Sequence, residues 1–249
     1  MRLFIVARTV SHPTPQNASI VRLLLSPVMW PSAVVLSRWL ISNSSVLSKA
    51  NRILEIGAGC GLVGLLAARM TKKQRALTTL DGSASTNDDS PPCEVILSDF
   101  NHTVLENLER NIALNEVENL CRTAGLDFYQ QPGTTQIGWK DMEGHSQSPV
   151  DVILAADMIC QPSDALYAAN TIYDALKPGG RAYVVCADAA HRFGVDHFER
   201  ECSRVGLQLK SCSVGDHYPS LVQGDDMHKT AGFIDGMNLT MFFIEKPNQ

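Results

Sequence analysis

A glycine-rich stretch between two apolar segments constrains the fold of this chain most strongly. Gly57, Gly59, Gly61 and Gly64 follow a short apolar segment, residues 52–56, and an apolar run of helical character comes after them. Glycine adopts positive φ angles at no steric cost, and the start of a helix offers unpaired N–H groups and the positive end of its dipole. The pattern therefore predicts a strand, a glycine turn and a helix, with a ligand close to the turn.

Strand and helix patterns alternate through the rest of the sequence. Helices are predicted at residues 27–41, 62–70 and 104–114, and a further helix is predicted to end at residues 177–180. The predicted strands are residues 1–7, 52–56, 93–99, 124–128, 151–157, 181–188 and 239–246. This alternation predicts an α/β fold, in which a mostly parallel sheet is covered by helices on both faces and binds ligands at the carboxyl ends of its strands.

The domain organisation is predicted to be simple. A chain of 249 residues fits one α/β domain, with residues 1–26 as an N-terminal accessory segment. Residues 82–92 are polar, contain two prolines and show no periodicity, so they are predicted to be a flexible loop insertion within that domain.

Charge and cysteine content exclude several classes of function. The net charge of -5 gives no electrostatic reason to expect a nucleic-acid partner. The seven cysteines are scattered and form no CxxC pair, which argues against disulfides and against a zinc or other metal site. Arg8 interrupts the first apolar run too early for a signal peptide, and no run is long enough to cross a membrane. We therefore expect a protein of the cytoplasm or the nucleus.

The ligand of the glycine turn is narrowed by the acidic residues that follow it. The turn suits the pyrophosphate of NAD and also the carboxylate of an amino-acid moiety. In dinucleotide-binding folds an acidic residue about 20 positions further on binds the ribose. Asp81 matches that spacing, but Asp99 ends a clearer strand and directly precedes a helix. Asp99 is the predicted ribose ligand, with Asp81 as the alternative.

At this point the sequence resembles a known family. Residues 53–68, which read ILEIGAGCGLVGLLAA, are similar to motif I of the seven-strand S-adenosylmethionine-dependent methyltransferases. The order of four further segments is similar to the branch of protein-lysine methyltransferases that act on chaperones, elongation factors and calmodulin. These segments are PVMWPSAVVLSRWL, SDFNHTVLENLERNIALN, LDF and AADMIC. The resemblance implies a Rossmann-like, seven-stranded sheet with an antiparallel last strand, S-adenosylmethionine as cofactor, and a protein substrate with a target lysine.

The resemblance also implies roles for individual residues. Trp30 would lie beside the cofactor, and Asp99 would bind its ribose hydroxyls. Phe128 stands where the branch often has tryptophan and would face the adenine, a contact that any aromatic face can make. The full set implied for cofactor binding is Trp30, Glu55, Gly57, Gly59, Gly61, Asp99, Phe128 and Ala156.

Asp157 is the candidate catalytic residue, because it would border the transferred methyl group beside Ala156. A lysine nucleophile has a pKa of about 10.4 and must lose a proton, so a carboxylate that orients the amine would assist the transfer. Asn111 and Asn115 are expected on the helix surface and at its cap. His191 and Arg192 follow a predicted strand, where they would contact substrate or simply face solvent.

One position departs from the branch. Where its members usually have Asp-x-x-Tyr, this chain has Asp157-Met158-Ile159-Cys160. A thiol cannot pack against a lysine side chain as an aromatic ring does, and Tyr167 or Tyr173 on the next helix would have to replace it. Cys160 itself is predicted to be a buried free cysteine. The departure leaves two alternatives to protein-lysine methylation, namely a small-molecule N-methyltransferase and a non-catalytic binding protein.

Overall fold

The computed structural model describes residues 29–80, 93–131, 138–224, 227–234 and 236–248, with backbone alone for 74–80. The predicted first strand, the accessory segment 1–26, the loop insertion 82–92 and Asp81 lie outside these residues.

The main sheet has seven strands in the order β3-β2-β1-β6-β7-β9-β8. Strands β3, β2, β1, β6 and β7 pair in parallel with one another, and β9 lies antiparallel between β7 and β8. The predicted Rossmann-like α/β fold with an antiparallel last strand is confirmed. Strands β4 and β5 form a separate two-stranded sheet. The strands are β1 (Arg52–Ile56), β2 (Glu94–Asp99), β3 (Cys121–Gly125), β4 (Trp139–Lys140), β5 (Ser146–Gln147), β6 (Val150–Ala156), β7 (Leu176–Ala187), β8 (Gln208–Ser213) and β9 (Leu239–Glu245).

Helices cover both faces of this sheet, and local sequence fixes where they start. Helix α1 begins at a proline, and α3 begins after Asn101, whose side chain accepts a hydrogen bond from the Thr103 N–H at 2.9 Å. A capping box of Gln161 and Asp164 starts α4. The helices are α1 (Pro31–Ser42), α2 (Leu62–Leu80), α3 (His102–Leu114), α4 (Pro162–Ala175), α5 (Val195–Arg204) and α6 (Val214–His217).

Alternate residues of the central strands fill two separate cores. Ile53 and Leu97 belong to the cluster that includes apolar residues of α1, α2 and α3. Leu54 and Ile56 belong to the cluster on the other face, with residues of α4 and α5. Because side chains of a strand alternate between faces, Glu55 points to the same side as Ile53, towards α2.

The structure corrects several predicted boundaries. The strand predicted at residues 124–128 is β3, Cys121–Gly125, and it ends earlier because the Asp127 side chain caps a short turn by accepting from the Tyr129 N–H at 2.9 Å. Helix α4 ends at Ala175 rather than at residues 177–180, since Leu176 already has extended backbone. Strand β8 and helix α5 were not predicted. None of the helices in the described parts of the chain combines the length and the apolar character that a membrane span requires.

Candidate active site

The glycine turn after β1 has the backbone conformation that only glycine adopts readily. The φ angles are 65° at Gly57, 54° at Gly59 and 81° at Gly61. A Cβ on Gly61 would lie 2.6 Å from Leu108 Cδ2, whereas a Cβ on Gly59 would meet no atom within 4 Å. Gly61 thus permits close packing against α3 and β2, and Gly59 leaves open space beside the turn.

Glu55 ties this turn to the first turn of α2. The Gly64 N–H donates to Glu55 Oε2 at 2.9 Å, and a Cβ on Gly64 would lie 2.5 Å from that oxygen. Glu55 is buried, and burial raises the pKa of its carboxyl group to about 8, against the opposing effect of the Gly64 N–H. The absence of a side chain at Gly64 therefore allows α2 to pack closely against both the Glu55 carboxyl group and Leu97 of β2.

Asp99 lies at the carboxyl end of β2, directly beside the glycine turn. The Gly59 N–H donates to Asp99 Oδ2 at 3.2 Å, and the Asn101 N–H donates to Asp99 Oδ1 at 3.0 Å. Burial raises the pKa of this carboxyl group, and the backbone N–H donors partly offset the increase. Gly59 and Asp99, which are 40 positions apart in the sequence, therefore lie side by side at the carboxyl ends of β1 and β2.

A cavity of about 650 Å³ lies at the carboxyl ends of β1, β2 and β6. This volume falls within the range of small-molecule sites. Gly61 is not among the lining residues, because it packs beneath the turn. The other candidate residues of the sequence all line this cavity: Trp30, Glu55, Gly57, Gly59, Asp99, Phe128, Ala156 and Asp157.

Asp157 is bound by Arg192 across the end of the sheet. Arg192 Nε donates to Asp157 Oδ1 at 3.1 Å, and Arg192 Nη2 donates to Asp157 Oδ2 at 2.5 Å. The guanidinium also lies over Trp30, 5.2 Å from the ring centroid. Arg192 is therefore an ion-pair partner rather than a solvated loop residue. Its neighbour His191 pairs instead with Asp188 at 2.6 Å.

Aromatic residues line the part of the cavity near Cys160. Phe128 stacks on Tyr129 with ring centroids 5.0 Å apart, and Tyr129 lies 4.6 Å from the ring of Tyr167. The Tyr129 hydroxyl donates to Asp164 and accepts from Gln161 Nε2 at 2.8 Å. Sequence reasoning missed Tyr129, although its place next to Phe128 in the LDFYQ segment could have suggested it.

Other sequence expectations have mixed outcomes. Asn111 is fully buried rather than on the surface, and its Nδ2 donates to the Cys60 carbonyl at 3.0 Å, which ties α3 to the glycine turn. Asn115 caps α3 as expected. Cys160 is exposed and lines the cavity, so the prediction of a buried cysteine is wrong. Tyr173 lies under the Lys246 ammonium group, 4.2 Å from the ring centroid, and does not line the cavity.

The charge of the cavity discriminates between ligands. The described lining residues include five carboxyl side chains and no lysine, arginine or histidine. A pyrophosphate would find no basic side chain among these lining residues, whereas a ligand with positive groups would be attracted to their carboxylates. The acidic groups, the glycine turn and the aromatic ring of Phe128 fit S-adenosylmethionine, which carries a sulfonium, an ammonium and an adenine. The acids are Glu55, Asp99, Asp127, Asp157 and Asp164.

The fold and cavity together define the class of Rossmann-like methyltransferases, and comparisons with known proteins agree. The sequence model of the lysine methyltransferase family matches residues 24–200. Human protein-lysine N-methyltransferase EEF2KMT is 31% identical over 140 residues, which cover 54% of this chain and 36% of that protein. Human histone-arginine methyltransferase METTL23 is 32% identical over 148 residues, which cover 58% of this chain and 60% of that protein.

Solved structures show the same fold. An O-methyltransferase family protein from Burkholderia thailandensis superposes with a TM-score of 0.53 at 12% identity, over 94% of this chain and 58% of that one. The chain belongs to the lysine methyltransferase family. Family membership identifies S-adenosylmethionine as the cofactor. The chain spans about a third to two thirds of the length of the curated relatives given above.

Proposed function

We propose that this protein is an S-adenosylmethionine-dependent N-methyltransferase that methylates a lysine side chain of a protein substrate. The observation that carries the proposal is the acidic cavity at the glycine turn, whose described lining contains no basic side chain. Membership in the lysine methyltransferase family supports the choice of acceptor.

We assign cofactor contacts to the residues around the glycine turn. Gly57, Gly59 and the carboxyl group of Glu55 would hold the methionine moiety, with Gly61 keeping the turn packed against α3. Asp99 would accept hydrogen bonds from the ribose hydroxyls, since its oxygens already face the turn. Trp30, Phe128 and Ala156 would supply apolar walls around the rest of the cofactor.

The chemistry that the cofactor supplies is an electrophilic methyl group on a positively charged sulfur. The acceptor side of the cavity must desolvate a lysine amine and hold it in line with that methyl group. Asp157 would orient the amine, because the hydrogen bonds from Arg192 leave each carboxylate oxygen with a further lone pair. The proton leaves the amine to solvent through the mouth of the cavity.

Tyr129 would replace the aromatic residue that is missing at Cys160. Tyr129 is 40% exposed and lines the cavity, and its side chain is held by the ring of Tyr167 and by the hydrogen bond to Asp164. An exposed aromatic ring can pack along the aliphatic part of a lysine side chain. Tyr129 therefore removes the main objection that the sequence raised against a lysine acceptor.

Transfer of labelled methyl groups tests this function. The protein is incubated with tritiated S-adenosylmethionine and a cell extract, and labelled proteins are analysed by mass spectrometry. We expect methyllysine in at least one protein, with label lost in Asp157→Ala and kept in Asp196→Ala. Asp196 is a suitable control because it is an exposed aspartate on α5 outside the cavity.

The alternative functions give different results in the same experiment. Methylarginine would match the arginine methyltransferase activity of the relative METTL23 and would contradict a lysine acceptor. Label in small molecules alone would favour the small-molecule N-methyltransferase. Binding of S-adenosylhomocysteine without any transfer would favour a non-catalytic binding protein.

We also propose that the protein resides in the cytoplasm or the nucleus. None of the seven cysteines, all of which lie in the described parts of the chain, forms a disulfide bond, which suits a reducing compartment. Cell fractionation tests this location, and recovery from a secretory compartment would contradict it.

A further inference from the structure

The backbone of Asp157 has a conformation that residues other than glycine adopt rarely, aspartate and asparagine more often than most. Its φ angle is 58°, in the left-handed region that a residue with a side chain rarely enters. The Asp157 N–H donates to the Val185 carbonyl at 2.8 Å, and the carboxylate is only 5% exposed. Some group must therefore fix the direction of this carboxylate at the end of β6.

Arg192 is the group that fixes it. Its two hydrogen bonds to separate oxygens of Asp157, at 3.1 and 2.5 Å, match the planar geometry of a guanidinium and a carboxylate. Burial opposes the charge of Arg192, but the hydrogen bonds and the negative charge of Asp157 outweigh that effect and raise the pKa of the guanidinium. The Arg192 guanidinium therefore stays charged, and its two hydrogen bonds set the direction of the Asp157 carboxylate.

The same guanidinium is placed against Trp30, which a second segment supports. Arg192 lies 5.2 Å from the ring centroid of Trp30. A Cβ on Gly232 would lie 2.6 Å from Trp30 Cζ3, and the Ala231 N–H donates to the Met29 carbonyl at 2.9 Å. The Trp30 ring is thus in contact with Arg192 and with the backbone at Gly232, which comes from the segment before β9.

We propose that Arg192 is a positioning residue for methyl transfer, which holds the Asp157 carboxylate and the Trp30 ring in their working orientations. Arg192 is not among the residues that line the cavity, so it acts through these two side chains. The proposal rests on the function proposed above. It assigns a positioning role, rather than the substrate contact considered from the sequence, to a residue that lies 35 positions from Asp157.

Three arginine variants test this role. Arg192→Met keeps the aliphatic part of the side chain and removes the charge, and Arg192→Lys keeps the charge without the two-pronged geometry. Arg200→Met is the matched control, because Arg200 pairs with Glu201 at 3.0 Å on α5, outside the cavity. The initial rate of tritium transfer from saturating S-adenosylmethionine to extract protein is compared with the affinity for S-adenosylhomocysteine from calorimetry.

We expect Arg192→Met to lower the transfer rate by about tenfold or more, since small displacements of catalytic groups have large kinetic effects. Because the Trp30 ring lines the cofactor site, the affinity for S-adenosylhomocysteine should also fall, but by a smaller factor than the transfer rate. The transfer rate of Arg192→Lys should lie between those of the wild type and Arg192→Met, and Arg200→Met should match the wild type. Arg192→Met should also change the tryptophan emission spectrum, and this change should vanish in a Trp30→Phe background.

Two results would overturn the proposal. One is an Arg192→Met variant that transfers methyl groups at the wild-type rate. The other is additive rate losses of Arg192→Met and Asp157→Asn in the double variant, which would show no coupling between the two residues. If Arg192→Met does not fold, Arg192→Lys decides, and wild-type activity there contradicts the positioning role. Failure of the wild type to transfer methyl groups would instead refute the proposed function, and the emission experiment would still test the Arg192–Trp30 contact.

Discussion

Replacement of Glu55 by glutamine should change how the stability of the protein depends on pH. Glu55 is 3% exposed, and its carboxyl group accepts a hydrogen bond from the Gly64 N–H. Burial raises its pKa from 4.5 to about 8, with the Gly64 N–H opposing this shift and the charge of Asp99 adding to it. Glutamine keeps the shape and an oxygen acceptor for Gly64 but has no proton to lose.

The sign of the effect follows from proton binding. Between the two pKa values the folded protein holds one more proton at residue 55 than the unfolded chain, so its free energy of unfolding falls as pH rises. Stability from this group is fully present below pH 4.5 and is lost as pH rises through about 8. Each pH unit inside the window changes the free energy of unfolding by about 1.4 kcal/mol, so two units change it by roughly 3 kcal/mol.

Urea denaturation without cofactor, at about pH 5.5 and about pH 7.5, measures this difference. Relative to Glu55→Gln, the wild type should lose roughly 3 kcal/mol of stability between the two conditions. Glu94→Gln is the control. Burial of Glu94 is outweighed by its ion pairs with Arg122 and Arg52, which lower its pKa. The stability that Glu94 contributes is lost only as pH falls through that lowered pKa. Between about pH 5.5 and about pH 7.5, the free energy of unfolding of Glu94→Gln should therefore change by as much as that of the wild type. If the free energy of unfolding of Glu55→Gln changes with pH in the same way as that of the wild type, the raised pKa of Glu55 is refuted.

Four further changes test the turn and the cavity. Gly61→Ala should destabilise the protein by about 3 kcal/mol in urea denaturation, because the new Cβ would lie 2.6 Å from Leu108 Cδ2 at a φ of 81°. Gly59→Ala should destabilise the protein by only about 1 kcal/mol, because its methyl group would meet no atom of the protein. That methyl group would project into the cavity, so calorimetric affinity for S-adenosylhomocysteine should fall by at least about tenfold. Equal losses of stability in the two glycine variants would contradict this difference. Asp99→Asn should weaken that binding by roughly tenfold through loss of charged acceptors, and unchanged affinity would contradict the ribose role. Tyr129→Ala should raise KM for the protein substrate about tenfold and leave S-adenosylhomocysteine affinity nearly unchanged, and an unaltered KM would contradict the acceptor role.

The central part of the fold could be predicted from the sequence because its signals are local. Strands β1 and β2 are short apolar runs, the turn between β1 and α2 requires glycine, and Asp99 ends its strand directly before a helix. Strand β8 reads QLKSCS and lies at the edge of the sheet, where one neighbour and partial exposure allow polar residues. Its sequence therefore lacks the apolar pattern that identifies a central strand.

The acceptor side of the cavity could not be predicted to the same extent. The ion pair of Asp157 with Arg192 joins loops that follow two different strands, and only the parallel pairing of β6 with β7 brings them together. Tyr129 stands 31 positions before the aromatic residue that the sequence led us to expect, and it lines the cavity because a short turn after β3 directs its ring towards α4. Both contacts depend on distances across the sheet that sequence spacing does not contain.

Calorimetric titration of the wild-type protein with S-adenosylhomocysteine and, separately, with NADH tests the central claim most directly. The claim is that the glycine turn and its acidic cavity bind a ligand made of an amino acid and a nucleoside rather than a pyrophosphate. The account predicts saturable binding of one S-adenosylhomocysteine per chain and no heat from NADH beyond dilution. Binding of NADH, with no binding of S-adenosylhomocysteine at high micromolar concentration, would contradict it.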